Sequence, residues 1–210
     1  MFDYNKNFIK VIPNFINKED IDLFLEFMDN NMKETETQRE IIFLDRIGNK
    51  EVADKIAEYE KKAYSYIIGE YLPEQNLRFE KLVWMRRLEL VRWNHGSGLD
   101  AHRDGHDGAP LEPHMSLSSL IYLNDDYIGG EVVFEEFGIV VKPRPGDFIV
   151  FPSHFLHQVT QSHKINNGRL RCTIPFFYGL EARRFNEYTQ DQYLAKIEEY
   201  NQGKGEYFSD

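Results

Sequence analysis

From Lys18 to Asn31 the chain reads KEDIDLFLEFMDNN, with Ile21, Phe24, Leu25 and Met28 at i, i+3, i+4 and i+7. That spacing lays one apolar stripe along an α-helix, and Asn17 stands just before it as an N-cap. The apolar segment IIFLD (41–45) predicts a strand. A second helix is predicted from about Lys50 to Ile68, burying Val52, Ile56, Ala63 and Ile67, with Gly69 as its stop signal. From Phe79 onward the helical period gives way to short runs of Val, Ile, Leu, Phe and Trp broken by Gly, Pro, Asn and Asp. Strands are predicted at 88–93, 99–104, 116–124, 130–135, 138–142, 147–151, 156–161 and 169–178. EEFG (135–138) reads as a hairpin turn. PRPGD (143–147) reads as a stronger one, its prolines ending pairing and its glycine reversing the chain. A last amphipathic helix, about Thr189 to Tyr200, turns Tyr193, Leu194, Ile197 and Tyr200 inward, and a frayed tail follows.

Short strands with turn signals between them predict a sandwich or jelly roll. The fold expected is mainly β with flanking helices, a double-stranded β-helix (jelly roll) core. The 210 residues are read as one domain: a helical support region over 1–78, the jelly-roll core over 79–180, and a C-terminal helix and tail over 181–210. Carboxylates outnumber Lys plus Arg by 35 to 25, a formal charge of −10, which disfavours nucleic acid and anionic membranes as partners. The single cysteine, Cys172, excludes an internal disulfide framework and any Cys-rich zinc module. The start, MFDYNKNFIKVIPNF, lacks a basic segment followed by an apolar run, and no stretch approaches the roughly 20 apolar residues of a membrane span. A cytoplasmic protein is expected.

Candidate chemistry sits in the β-rich half, where six of the seven histidines fall between His102 and His163. Residues i and i+2 of a strand share a face, so His102 and Asp104 in AHRD present an imidazole and a carboxylate together. A third ligand from a facing strand would complete a two-histidine, one-carboxylate face, which leaves positions open on an octahedral ion and suits non-haem Fe(II). His154, His157 and His163 compete for that place. His157, directly after the apolar run DFIVF, is favoured on rigidity alone.

The stretch from Leu88 to Tyr178 resembles the catalytic core of the Fe(II)/2-oxoglutarate-dependent dioxygenases, in their prolyl 4-hydroxylase branch. The motifs come in order: RWNHG (92–96), HRD (102–104), YLND (122–125), GGEVVF (129–134), PRPGDFIVF (143–151) and HQV (157–159). The opening VIPNFINKED also resembles the family's N-terminal strand and first helix. The resemblance implies that His102, Asp104 and His157 ligate Fe(II). It also implies that an arginine holds the distal carboxylate of 2-oxoglutarate. Arg169 and Arg171 both qualify by chemistry, their guanidinium forks matching a carboxylate. The family's arginine precedes an aromatic by six residues, which selects Arg171 through Phe177. Tyr122 matches a tyrosine that donates to the same carboxylate, or else is a core residue, and Thr173 adds a hydroxyl. Trp93 stands where relatives often carry tyrosine. The gap from His157 to Arg171 predicts an enlarged hairpin at SHKINNG.

The resemblance implies an oxygenase that hydroxylates a peptidyl residue, with proline first, giving succinate and CO2, with ascorbate as a further family ligand. Other readings are the same oxidation on a free amino acid or small molecule, dealkylation of nucleic acid, a zinc hydrolase, or a non-catalytic metal-binding jelly roll. The loop 104–114, with His106 and Asp107, would lie at the pocket rim beside a neutral or basic extended peptide. Gly96 and Gly98 read as turn residues or as room for substrate, Glu131 as structural, and FFY (176–178) as core. Segment 39–50 reads either as a lid over the peptide or as an edge strand.

Overall fold

The computed structural model describes residues 6–33, 37–76, 83–84, 88–104 and 117–179. Asn17 caps α1 (Lys18–Asn31), its side-chain oxygen accepting from the Asp20 N–H at 2.8 Å. That satisfies one of the donors a helix start leaves open. Ile21, Phe24, Leu25 and Met28 are all buried. Asn49 caps α2 (Lys50–Tyr66) in the same way, through the Val52 N–H. The helix does not stop at Gly69: the chain continues through a π turn, Ile67–Tyr71, and one more helical turn, Leu72–Glu74. Burial of Tyr71 and Leu72 carries it past the glycine, and the Tyr71 hydroxyl donates to the Phe8 carbonyl at 2.8 Å.

Among the described residues there are twelve strands: β1 (Lys10–Ile12), β2 (Arg39–Phe43), β3 (Val83–Trp84), β4 (Glu89–Trp93), β5 (Ser97–His102), β6 (Leu117–Tyr122), β7 (Tyr127–Ile128), β8 (Val132–Phe134), β9 (Ile139–Val141), β10 (Phe148–Pro152), β11 (His157–Lys164) and β12 (Cys172–Gly179). The larger sheet runs β1-β10-β6-β12-β4-β2, with β3 also on β12. The smaller runs β5-β11-β8-β9, with β7 also on β11. This is a jelly roll with helices on one side. The turn at 143–147 closes as its composition predicts: Gly146, at φ +88°, donates to the Tyr122 carbonyl.

Both faces of the larger sheet are covered, which explains the near-continuous apolar runs of β10 and β12. Along β12, Cys172, Ile174, Phe176 and Tyr178 pack with α1 and α2, while Thr173, Pro175 and Phe177 line a cavity between the sheets. In β10, Phe148 and Val150 join the helical side, and Ile149 and Phe151 the second core cluster between the sheets.

One expectation changes here, and one open alternative is taken. SHKINNG is not a hairpin: β11 runs on to Lys164, and after a turn at 165–168 the chain crosses to the other sheet. Segment 39–50 takes the edge-strand alternative: β2 pairs along β4 from Arg39↔Trp93 to Phe43↔Glu89, and Leu44 and Ile47 enter the helical core. The predicted helix Thr189–Tyr200, with His106 and Asp107, lies outside the described residues. No helix among the described residues is long and apolar enough to cross a membrane.

Candidate active site

Strands β5 and β11 pair antiparallel, which sets His157 opposite His102, with ring centroids 4.4 Å apart. Asp104 lies two residues beyond the end of β5 and turns its carboxylate back to both rings. Its Oδ1 is 3.4 Å from His102 Nε2, and its Oδ2 is 3.6 Å from His157 Nε2. One ligand atom from each residue falls within 4.8 Å of the others, so the three side chains could hold a metal ion.

Backbone contacts set the imidazoles for that task. His102 Nδ1 lies 2.7 Å from the Asp100 carbonyl, and His157 Nδ1 lies 2.9 Å from the Phe155 carbonyl. A carbonyl only accepts, so each Nδ1 carries the proton and each Nε2 presents its lone pair inward. Burial pushes the pKa of His157 down against the pull of Asp104, which keeps the ring neutral, the state that binds metal. Burial pushes the Asp104 carboxyl up, yet the polar groups around it, the donating Ser118 hydroxyl among them, outweigh that and hold it below the usual carboxylate range. His154 and His163 are placed elsewhere. The His154 ring packs edge-on against Phe155, and that of His163 against His95.

The triad opens into a cavity of about 290 Å³ between the sheets. Its walls are largely apolar, with Leu99, Leu120, Val132, Phe151 and Val159 among them. Arg171 also lines this cavity and is 1% exposed. Its guanidinium carbon sits 4.9 Å from the Trp93 ring centroid and 5.2 Å from that of Tyr122. Nη2 donates to the Tyr122 hydroxyl at 3.3 Å, whereas Nε and Nη1 are buried without a hydrogen-bond partner. The Trp93 indole nitrogen and the Thr173 hydroxyl are buried and unpartnered too. Orphaned donors beside a buried cation are costly unless an acceptor fills the space. A carboxylate fits that need. Burial raises the pKa of Tyr122 despite the lowering effect of Arg171, so the phenol keeps its proton to donate.

Arg169 stands outside the cavity, where its Nε bonds Asp29 of α1 at 2.9 Å. Strand parity fails to pair it with Arg171 because β12 begins only at Cys172. Before that point Asn124 and Asp126 side chains hold the backbone of 169–172. Gly130, at φ +74°, is where Arg171 passes: a Cβ there would lie 2.9 Å from Arg171 Cδ. Gly96 forms a turn at φ +75°, and Gly98 lets β5 approach β11, since a Cβ would meet the Val159 carbonyl at 2.5 Å. Glu131 accepts from the Thr160 hydroxyl, a structural contact. Phe177 departs from the core expectation, for it faces the cavity while Phe176 and Tyr178 are buried on the helical side.

Sequence reasoning missed Arg39 and Glu89, which line the cavity from β2 and β4, and Ser118, which donates to Asp104. The signal for Glu89 was a carboxylate within the apolar run LELVRW, 2% exposed in the fold.

A model of the 2OG-Fe(II) oxygenase superfamily matches residues 88–179. A PKHD-type hydroxylase from Cupriavidus pinatubonensis is 38% identical over 77 residues, 33% of this chain and 34% of that protein. Human prolyl 3-hydroxylase 2 is 30% identical over 109 residues, 46% of this chain and 14% of that protein. The matched segments thus span about a third or less of these curated relatives. Among solved structures, the viral collagen prolyl hydroxylase of Paramecium Bursaria Chlorella virus-1, in its 2OG complex, aligns with TM-score 0.61 at 18% identity. That alignment covers 83% of this chain and 97% of the viral one, and it shows a shared jelly roll. The family implies Fe(II) and 2-oxoglutarate, and the unpartnered donors of Arg171, Thr173 and Trp93 fit a dicarboxylate reaching in from the triad. Residues 88–179 thus resemble the 2OG-Fe(II) oxygenase superfamily, and the jelly roll is the fold of the solved prolyl hydroxylase structure.

Proposed function

We propose that the chain is an Fe(II)- and 2-oxoglutarate-dependent dioxygenase that hydroxylates a peptidyl residue, with proline the first candidate. The observation that carries this reading is the pairing, in one cavity, of the His102–Asp104–His157 cluster with the unsatisfied Arg171 guanidinium. In this reading His102, Asp104 and His157 hold the iron. Arg171, with the Tyr122 and Thr173 hydroxyls, takes the distal carboxylate of 2-oxoglutarate. When bound, Fe(II) supplies an O2-driven oxidation in which 2-oxoglutarate leaves as succinate and CO2 and the substrate gains a hydroxyl. The chain's own part is to orient both groups and exclude water behind apolar walls. A metal-binding module or a zinc hydrolase has no use for a buried arginine with open donors facing the metal end. The choice of a peptide is supported by the collagen and prolyl hydroxylases among the relatives. The −10 charge favours a neutral or basic one.

Two measurements test the reading. Anaerobic addition of Fe(II) and then 2-oxoglutarate should give a weak violet-coloured absorption, which His157→Ala abolishes and His154→Ala retains. Mass spectrometry of proline-containing peptides should then show a 16 Da gain that depends on 2-oxoglutarate. Absence of the absorption in the wild-type chain would overturn the oxygenase. Equal hydroxylation of free proline and peptides would move the substrate to small molecules.

A further inference from the structure

Asp104 is held differently from its two histidine partners. His102 ends β5 and His157 begins β11, whereas Asp104 lies beyond the sheet with no ladder bond to orient it. Among the described residues, two buried serines support it. Ser118, on β6, is 1% exposed, and its hydroxyl donates to Asp104 Oδ2 at 2.5 Å. Ser153, just past the end of β10, is 0% exposed, and its Oγ lies 2.8 Å from that of Ser118. Chemistry fixes the direction of both bonds. A carboxylate only accepts, so the Ser118 proton goes to Asp104 and the Ser153 proton must go to Ser118. The resulting chain is Ser153→Ser118→Asp104, ending in a charge-assisted bond.

The chain also links the two halves of the cluster. Ser118 is paired with Phe151 across β6 and β10. Ser153 then opens the turn that leads to Phe155, whose carbonyl fixes the tautomer of His157. One rigid path, β10 and its turn, thereby orients both the carboxylate and an imidazole. Ser118 donates to Oδ2, and among the described residues no hydroxyl donates to Oδ1. A carboxylate bound through one oxygen keeps more of the metal's positions open than one bound through two.

We propose that Ser118, backed by Ser153, is the positioning residue that sets the Asp104 carboxylate for metal binding. This rests on the metal reading of the triad given above. The test is calorimetric titration of the metal-free full chain with Co(II), which needs neither substrate nor turnover. Outer hydrogen-bond partners of metal ligands are worth roughly 10–100-fold in affinity, so Ser118→Ala should weaken Co(II) binding by about that factor. Ser118→Thr keeps the hydroxyl and should restore affinity close to wild type, which a purely steric role would not do. Ser153→Ala leaves the Ser118–Asp104 contact in place and should weaken binding in the same direction but less. That variant serves as the readout if Ser118→Ala does not fold. Unchanged affinity in Ser118→Ala, or in Ser153→Ala where it is the readout, overturns the chain while leaving the metal site standing. Failure of Ser118→Thr to restore affinity does the same. A wild-type chain whose Co(II) binding is absent, or indifferent to His157→Ala, overturns the metal reading and this inference together.

Discussion

Two arginines, two residues apart, have opposite surroundings. Arg171 is sealed against Trp93 and Tyr122 with two nitrogens unpartnered, while Arg169 is 46% exposed and paired with Asp29. Removing one partner from a buried ion pair costs about 3–5 kcal/mol, against about 0–1 for an exposed pair. Arg171→Ala should therefore raise the KM for 2-oxoglutarate by at least roughly 100-fold, and Arg169→Ala should leave it within about fivefold. Steady-state assays at varied 2-oxoglutarate check this, and equal effects would remove Arg171 from the cosubstrate end. His102 and Asp104 do come together as the sequence suggests, but not by shared strand face: β5 ends at His102, and Asp104 turns its carboxylate back from beyond the strand. The arginines were not separable by strand face either. What distinguishes them is that β12 starts at Cys172, a boundary imposed by the Asn124 and Asp126 side chains some 45 residues away in the chain. Ser118 and Ser153 were invisible for a similar reason, since a serine in a strand declares nothing until its neighbours across the sheet are known.

Segments whose role depends on what packs over them were the hardest to read. The helices were legible because each buries a stripe of its own, and Asn17 and Asn49 cap them locally. Gly69 misled because its low helix propensity, about 1 kcal/mol against alanine, is outweighed by burial of Tyr71 and Leu72 just beyond it. β2 stayed open because its mixed apolar and charged residues suit either a mobile cover or an edge strand. Its backbone answers the question, bonded along β4, and Leu44, at 0% exposure, follows it into the helical core. Leu44→Ala should then destabilise the protein by about 2–5 kcal/mol, measured by urea unfolding with the folded baseline intact. A cover segment would behave otherwise, losing peptide binding with no change in unfolding midpoint. That second outcome would return 39–50 to the role of a lid.

The larger sheet joins the helices to the cavity, because β6, β10 and β12 each turn alternate residues to both. What clasps the helices therefore bears on the site as well. Asp20 is the centre of that clasp. Its carboxylate accepts from the Tyr59 hydroxyl of α2 at 2.6 Å and from Asn17 Nδ2 at 3.0 Å, and Lys55 Nζ lies 3.3 Å away. Burial pushes the Asp20 carboxyl up, but Tyr59, Lys55 and Asn17 outweigh it and hold the pKa below the usual value. A carboxyl depressed on folding contributes stability in full above its unfolded pKa of about 3.9. It loses that contribution as pH falls through the lower folded-state value. Asp20→Asn cannot titrate and keeps only one acceptor oxygen, so at pH 7 it should be less stable than wild type by about 1–3 kcal/mol. As the solution is acidified through that lowered value the wild-type carboxyl protonates, and the difference between the two proteins should shrink. Urea unfolding of both proteins across this range measures it directly. A gap that stays constant from neutral to acid would mean that the ionised form of Asp20 does not hold α1 to α2.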